Sequence, residues 1–399
     1  MSEQTDAGAI PADLGPAAAR SAADFVFTFS YETWSDAVRR GMMRPPDRIL
    51  ASLMRSPEVR RLLVADPFRW LPRVAATPLL DRDAAFPGSS RMTLHRPSRL
   101  RRDDPTDPDG VAVEYRGYDR SLHRAARRLE LDAPYVITTN PLVAGFAPFA
   151  WASEVTFFAR DDWSSSPARE AYWPAYLAAY RRISESGRPV AAVSAEIIER
   201  IAPTGPSAVV PNGVEPSEWL GPVPHAPEWF AAIPGPRAVY VGTLDSRLDV
   251  PGILDLATRR PELHVVLLGP LPDPAYVAEL RPLVNVHVHP SVGRAELVAT
   301  LRHADLCLLA HRRTPLTEAM SPLKIYEYLA AGVPVIATDL PPVRGIDDRV
   351  LLAPTVGDFA DVVPDALAVG RADEETRRAF IAANSWSARH EKVFALSRG

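Results

Sequence analysis

Short apolar runs at residues 24–29, 59–64, 135–138, 155–158 and 189–193 alternate with segments long enough for helices. The same rhythm starts again with runs at 238–242, 263–269, 284–288, 305–310 and 333–338. Parallel strands need a long connection, usually a helix, so this alternation constrains the chain to helix-covered parallel sheets. The restart follows residues 211–214 and a proline-rich stretch, 222–236, that reads as a linker. The expected architecture is α/β, with two doubly wound domains facing a cleft. They span residues 21–215 and 222–375, preceded by a disordered segment at 1–20 and followed by a helix at 376–399 that returns to the first domain. In such sheets ligands gather outside the carboxyl ends of the strands, so polar residues just past the apolar runs are the candidates for chemistry.

Composition removes several alternatives. With 45 basic and 49 acidic residues, the net charge of −4 lacks the basic excess of a nucleic-acid binder. The one cysteine, Cys307, lies inside an apolar run, which excludes disulfides and cysteine zinc sites. His287 and His289 alternate with no third ligand at metal-site spacing, so they read as packing residues and no metal is expected. The acidic N-terminus leads into no apolar segment, and the uncharged stretch 135–153 is broken by Thr139, Asn140, Pro141 and Pro148. These features predict a cytoplasmic protein. Residues 66–110 read as irregular, and residues 39–102 hold 15 Arg against five acidic residues. That excess suggests a surface touching anionic lipid or a lipid-linked acceptor at the inner face of the membrane.

The sharpest motif is the segment 321–339. Ser321 as N-cap, Pro322 at the first helical position and Gly332 past the end predict a helix of about three turns. Lys324, one of only two lysines beside Lys392, then sits in the first turn. Its charge opposes the helix dipole there at a cost of about 0.3–1 kcal/mol, which an anion would offset. Lys324 and Glu327 share one helix face, with Lys first, the weaker order for an ion pair. An exposed surface pair is the bland reading. The scarcity of lysine favours phosphate binding by Lys324, with Glu327 accepting the hydroxyls of a ribose. Together with Ser321 at the same helix mouth they suit a nucleotide diphosphate.

This segment resembles the donor-nucleotide motif of GT-B glycosyltransferases. Segments 193–200 and 209–215 resemble the hinge entry of that superfamily, and 240–249 with 267–270 the first strands of its Rossmann-like nucleotide domain. The paired glutamates of family 4 are not reproduced, since Ala319 stands eight positions before Glu327, and Thr243 stands where that family has arginine. The patterns Gly242-Thr243-Leu-x-x-Arg247 and Pro322-x-Lys324-x-x-Glu327 instead resemble bacterial polysaccharide glycosyltransferases of the teichuronic-acid and xanthan glucuronosyltransferase types. The resemblance implies transfer from a nucleotide-diphosphate sugar, with UDP the expected carrier, to a hydroxyl of a glycan or glycolipid, with no cofactor. Gly242 and Thr243 would offer backbone and hydroxyl donors to the diphosphate. Arg247 would either reach it or sit exposed in an ordinary turn.

On the acceptor side, Asp161 and Asp162 follow the run 155–158 and are candidates for a general base, against an Asx turn or helix cap. A carboxylate in a partly dry cleft would have a raised pKa. Trp34, Thr139 and Asn140 also follow strands and could line the acceptor pocket. Two rivals share the fold: an epimerase or hydrolase that consumes a sugar nucleotide without an acceptor, and a non-catalytic partner that only binds one.

Overall fold

The computed structural model describes residues 22–74 and 85–399, so the segment expected to be disordered at 1–20 lies outside the described residues. The first sheet is built from β1 (Ala23–Thr28), β2 (Val59–Ala65), β3 (Met92–His95), β4 (Tyr135–Thr138), β5 (Glu154–Ala159), β6 (Val190–Ala192) and β7 (Ser207–Val209). Its strands are all parallel, in the order β3-β2-β1-β4-β5-β6-β7. The second sheet comprises β8 (Arg237–Val241), β9 (His264–Leu268), β10 (Val286–His289), β11 (Leu306–Leu309), β12 (Val335–Thr338) and β13 (Val350–Ala353). It is also all parallel, in the order β10-β9-β8-β11-β12-β13. Each sheet grows outward from its first strand and then jumps to that strand's other side. A crevice therefore opens at the carboxyl ends of β1 and β4, and another at those of β8 and β11.

Central strands are apolar throughout because helices cover both faces. Phe25 and Phe27 of β1 point into one core and Val26 into the other. Val239 and Val241 of β8 likewise alternate with Ala238 and Tyr240. Cys307 is buried in β11 as a small hydrophobe.

Three expectations are corrected. Residues 66–110 are not wholly irregular, for they supply β3 and a small parallel pair, Arg69–Trp70 with Ser98–Arg99. The segment 222–236 is not a free linker: Phe230 is fully buried in the second core, and Trp229 stacks on His289 at 3.8 Å. The arginines between 39 and 102 do not all share one face, although Arg69, Arg73, Arg99 and Arg102 meet around one cavity. Arg40 pairs with Asp47 at 3.0 Å, Arg60 with Asp24 at 2.8 Å, Arg48 with Glu218 at 2.7 Å, and Arg91 donates to the Val59 carbonyl. Among the described residues no helix is long and apolar enough to cross a membrane.

The chain crosses between the sheets twice at one place. The Val214 N–H donates to the Asn384 carbonyl at 2.9 Å, and the Trp386 N–H donates to the Val214 carbonyl at 3.0 Å. A Cβ on Gly213 would lie 2.8 Å from the Asn384 oxygen and 3.1 Å from the Trp386 nitrogen, so the two crossings can touch only through glycine. Beyond the second crossing, the helix Trp386–Arg398 packs on the first sheet. Val393 joins that core, and the Ser397 hydroxyl accepts from Thr156 at 2.8 Å.

Candidate functional site

The motif helix runs Leu323–Ala330, shorter than expected, with Pro322 at the N-cap position. Ser321 is not its cap, because it is spent on the interdomain crossing. Its carbonyl accepts from the Asn212 side-chain amide at 2.6 Å, and its hydroxyl from the Asn212 N–H at 3.3 Å. The end is as anticipated: Gly332 has φ +81°, and the Val333 N–H returns to the Tyr328 carbonyl in a Schellman turn. The Tyr328 hydroxyl accepts from the Val241 N–H at 2.8 Å, which fixes the helix against the carboxyl end of β8.

Lys324 does lie in the first turn, and its Nζ is 2.8 Å from Glu327 Oε2. The pair is not the exposed surface pair of the bland reading, since Glu327 is buried. Glu327 also supplies the negative charge that Lys324 needs at the helix mouth without any ligand. A second cation, Arg294, binds Glu327 Oε1, so both carboxylate oxygens face a cation. Burial alone would raise the Glu327 pKa, but Lys324 and Arg294 prevail and hold it below the ordinary value. Arg294 in turn pairs with Glu218 at 2.5 Å, and Glu218 accepts from Arg48 at 2.7 Å. This chain of charges spans the two domains and borders a cavity of about 200 Å³, walled also by Arg44 and Trp386. Lys324 retains donors beyond the one aimed at Glu327, and a carboxylate has lone-pair sites left after two partners, so both can still meet a ligand.

Gly242 follows β8, and its carbonyl would lie 2.0 Å from any Cβ on Gly269, which holds φ +152°. Thr243 is partly exposed beside it. Arg247 is held in a bidentate pair with Asp245 at 3.0 and 2.7 Å. It is not idle in solvent: it acts electrostatically on Asp161 of the opposite domain. Asp161 lies past β5 with Arg160 at 3.4 Å. Although 38% of its side chain meets solvent, the cleft walls desolvate it and raise its pKa, against the pull of Arg160, Arg44 and Arg247. Asp161 thus feels Arg247 from the opposite domain and Arg44 from its own, and Arg44 also walls the Lys324–Glu327 cavity.

Comparison with known proteins fits this geometry. Residues 236–368, which hold every strand of the second sheet, match the family described as glycosyl transferases group 1. The match covers a third of the chain. A 104-residue stretch is 30% identical to TuaH of Bacillus subtilis strain 168, named as a teichuronic acid biosynthesis glycosyltransferase. The match covers 26% of this chain and 26% of that protein, so the chain spans about a quarter of the curated relative's length. The fold is GT-B. Sucrose-phosphate synthase from Thermosynechococcus elongatus superposes with TM-score 0.64 at 15% identity, over 94% of this chain and 98% of that one. The trehalose 6-phosphate synthase of Burkholderia multivorans gives 0.61 at 14%, over 95% and 98%. Anabaena HepE, solved with UDP and glucose, gives 0.55 at 14%, over 94% and 97%.

Within this group 1 domain, sequence reasoning missed two residues. Arg294 begins a helix far from the motif, and nothing in its neighbourhood marks it as the partner of Glu327. His311 follows β11 at the crevice, packs edge-on against Tyr240, and has its pKa pushed down to about 4 by burial, with Arg247 adding to the effect. Its Nδ1 is buried with no hydrogen-bond partner among the described residues.

Outside the group 1 domain, four candidates are structural. Asp162 caps the turn that follows, accepting from the Ser164 N–H at 3.0 Å and hydroxyl at 2.6 Å. Asn140 caps Pro141–Phe146 and donates to the Ser30 carbonyl at 2.9 Å. Thr139 is fully buried, tied to Thr28 and Ser30. Trp34 packs on Phe86 with ring centroids 4.9 Å apart. Loops after adjacent strands bind each other here, which removes these side chains from the cleft. No cluster of His, Cys, Asp or Glu that could hold a metal occurs among the described residues. Of two Asp-x-Asp spacings, Asp107 and Asp109 begin the helix Pro108–Arg128, with Asp107 its cap, and Asp81 and Asp83 lie outside the described residues.

Proposed function

We propose that the chain transfers a sugar from a nucleotide-diphosphate donor, with UDP as the carrier, to a hydroxyl of a saccharide acceptor in polysaccharide assembly. The observation that carries this reading is the cationic mouth of the Leu323–Ala330 helix inside the interdomain cleft of a group 1 domain, with Asp161 opposite. Lys324 and Arg247 stabilise the charge that grows on the departing diphosphate, which preorganised donors do without a change in their own positions. Glu327, held by Lys324 and Arg294, presents its remaining lone pairs to the ribose. Asp161, its pKa raised by the cleft, takes the proton from the attacking acceptor hydroxyl. The protein works on the cytoplasmic side, where sugar nucleotides are made. The UDP seen with HepE and the naming of TuaH support the donor and the pathway class.

The test is nucleotide release from a panel of sugar nucleotides with and without saccharide acceptors. Release that depends on acceptor is expected. Equal release in its absence would establish a hydrolase instead, conversion of the donor to an isomer without release an epimerase, and no binding of any panel member would remove the donor assignment.

A further inference from the structure

A second cavity, of about 640 Å³, opens beyond the carboxyl ends of β1 and β2 and falls within the size range of small-molecule sites. Five arginines line it, Arg69, Arg73, Arg99, Arg102 and Arg169, against two carboxylates, Asp103 and Asp104, with Asp36 3.7 Å from Arg69 and Glu114 3.7 Å from Arg99 behind the wall. Crowding is felt inside: burial lowers the Arg69 pKa, and Arg73 and Arg99 lower it further, against Asp36 and Asp66.

Some of this charge is spent. Arg69 donates to the Tyr31 carbonyl at 2.5 Å, and Arg99, only 9% exposed, pairs with Asp104. The rest is not. The Arg99 Nε is buried without a hydrogen-bond partner, and neither Arg102 nor Arg169 pairs with a carboxylate among the described residues. Arg169 is instead held over the Tyr31 ring, 4.5 Å from its centroid. Guanidinium groups with N–H edges to spare, Arg99 and Arg169 held by their neighbours and Arg102 at the exposed rim, match the oxygens of a phosphate or carboxylate. Beside them Phe68, Tyr115 and the 40%-exposed Trp70 offer apolar walls, the surface on which the C–H face of a sugar ring rests.

The cavity wall reaches toward Asp161 through one ring. Arg169 lies 5.9 Å from the Trp163 ring, and Arg160, the neighbour of Asp161, lies 5.6 Å from the same ring. The Trp163 indole thus stands between Arg169 of the cavity and Arg160, the neighbour of Asp161.

We propose that this cavity receives an acidic saccharide, the acceptor of the transfer reaction, with its phosphate or carboxylate bound by Arg99, Arg102 and Arg169. This rests on the reading of Asp161 as the group that meets the acceptor, but the binding itself does not require turnover.

The test is calorimetric titration of the full chain, without donor, using glucose 6-phosphate, glucuronate and glucose. At least one anionic probe should bind about tenfold more tightly than glucose. The Arg102→Gln/Arg169→Gln double variant should lose about that factor while keeping its thermal midpoint and its affinity for UDP. The proposal is overturned if neither anion outbinds glucose, if the double variant binds the anion as wild type does, or if UDP displaces the probe. It is equally overturned if vesicles containing phosphatidylglycerol bind and the soluble sugars do not, which would make the site a membrane contact. Failure of the donor reading shows separately, as absence of UDP binding by the wild type.

Discussion

Lys324 is bound to Glu327 in the unliganded protein, so its value to a ligand lies in the donors it has left and in its place at the helix mouth. A hydrogen bond to a charged group contributes about 1.5–3 kcal/mol. Lys324→Ala should accordingly weaken UDP binding roughly 10- to 150-fold, while uridine, which lacks the diphosphate, loses far less. Equal losses in parallel titrations would show that Lys324 serves the fold and not the phosphate. Asp161 is read differently, as a group whose raised pKa suits proton transfer. Replacement by Asn preserves shape and removes basicity, so kcat should fall by about 10² to 10⁴ with the donor Kd nearly unchanged. An Asp161→Asn enzyme with near-normal kcat would leave the cleft without its base.

At the scale of the element, Asp66 sits at the carboxyl end of β2, where it accepts the Trp34 N–H at 2.7 Å and so holds the first turn of the helix Trp34–Arg39. Burial raises its pKa to about 6, opposed by the Trp34 hydrogen bond and by Arg96 and Arg69. A carboxyl whose folded pKa exceeds its unfolded value of 3.8 favours folding fully below that value, and the contribution is lost as pH rises through about 6. At neutral pH the ion is therefore a liability of about 1–3 kcal/mol. Asp66→Asn, whose amide oxygen can still accept from Trp34, should raise the thermal midpoint at pH 7 and not at pH 4. A midpoint unchanged or lowered at pH 7 would mean that the pairing with Arg96 outweighs burial. Such elements also show what the sequence can disclose. The central strands were legible because burial on both faces demands unbroken apolar runs. The strands β3, β7 and β13 were not, since each is a short edge with a single neighbour and carries exposed or half-exposed residues, as in Ser207-Ala208-Val209 and at Leu352. In the site, Lys324 and Glu327 were marked by helix spacing, whereas Arg294 met them only through tertiary folding. Thr139 and Asn140 had the composition of cleft residues but were consumed by bonds to the neighbouring loop at Ser30.

The whole molecule is closed by its last helix, Trp386–Arg398, which leaves the second domain beside Gly213 and docks on the first. Its docked face carries a buried imidazole: His390 shares a hydrogen bond with the Ser52 hydroxyl at 2.6 Å and stacks on Trp386. Burial, with Arg55 and Arg48 adding repulsion, pushes the His390 pKa down to about 3. Once undocked, the ring titrates near its ordinary 6.5. Between these values the undocked state binds a proton that the docked state refuses, so docking is at full strength above pH 6.5 and weakens as pH falls. At pH 5 the loss is about 2 kcal/mol, or roughly thirtyfold in the docking equilibrium. Because Trp386 walls the same cavity as Lys324, undocking should also open the donor site. Normalised hydrogen-exchange protection across residues 386–398 should fall by about that factor between pH 7 and pH 5, together with affinity for UDP. His390→Phe, which keeps a ring against Trp386 but cannot titrate, should show lower protection at pH 7 and no further fall at pH 5. Protection that is flat with pH in the wild type would place the acid sensitivity elsewhere and leave the last helix a passive strap.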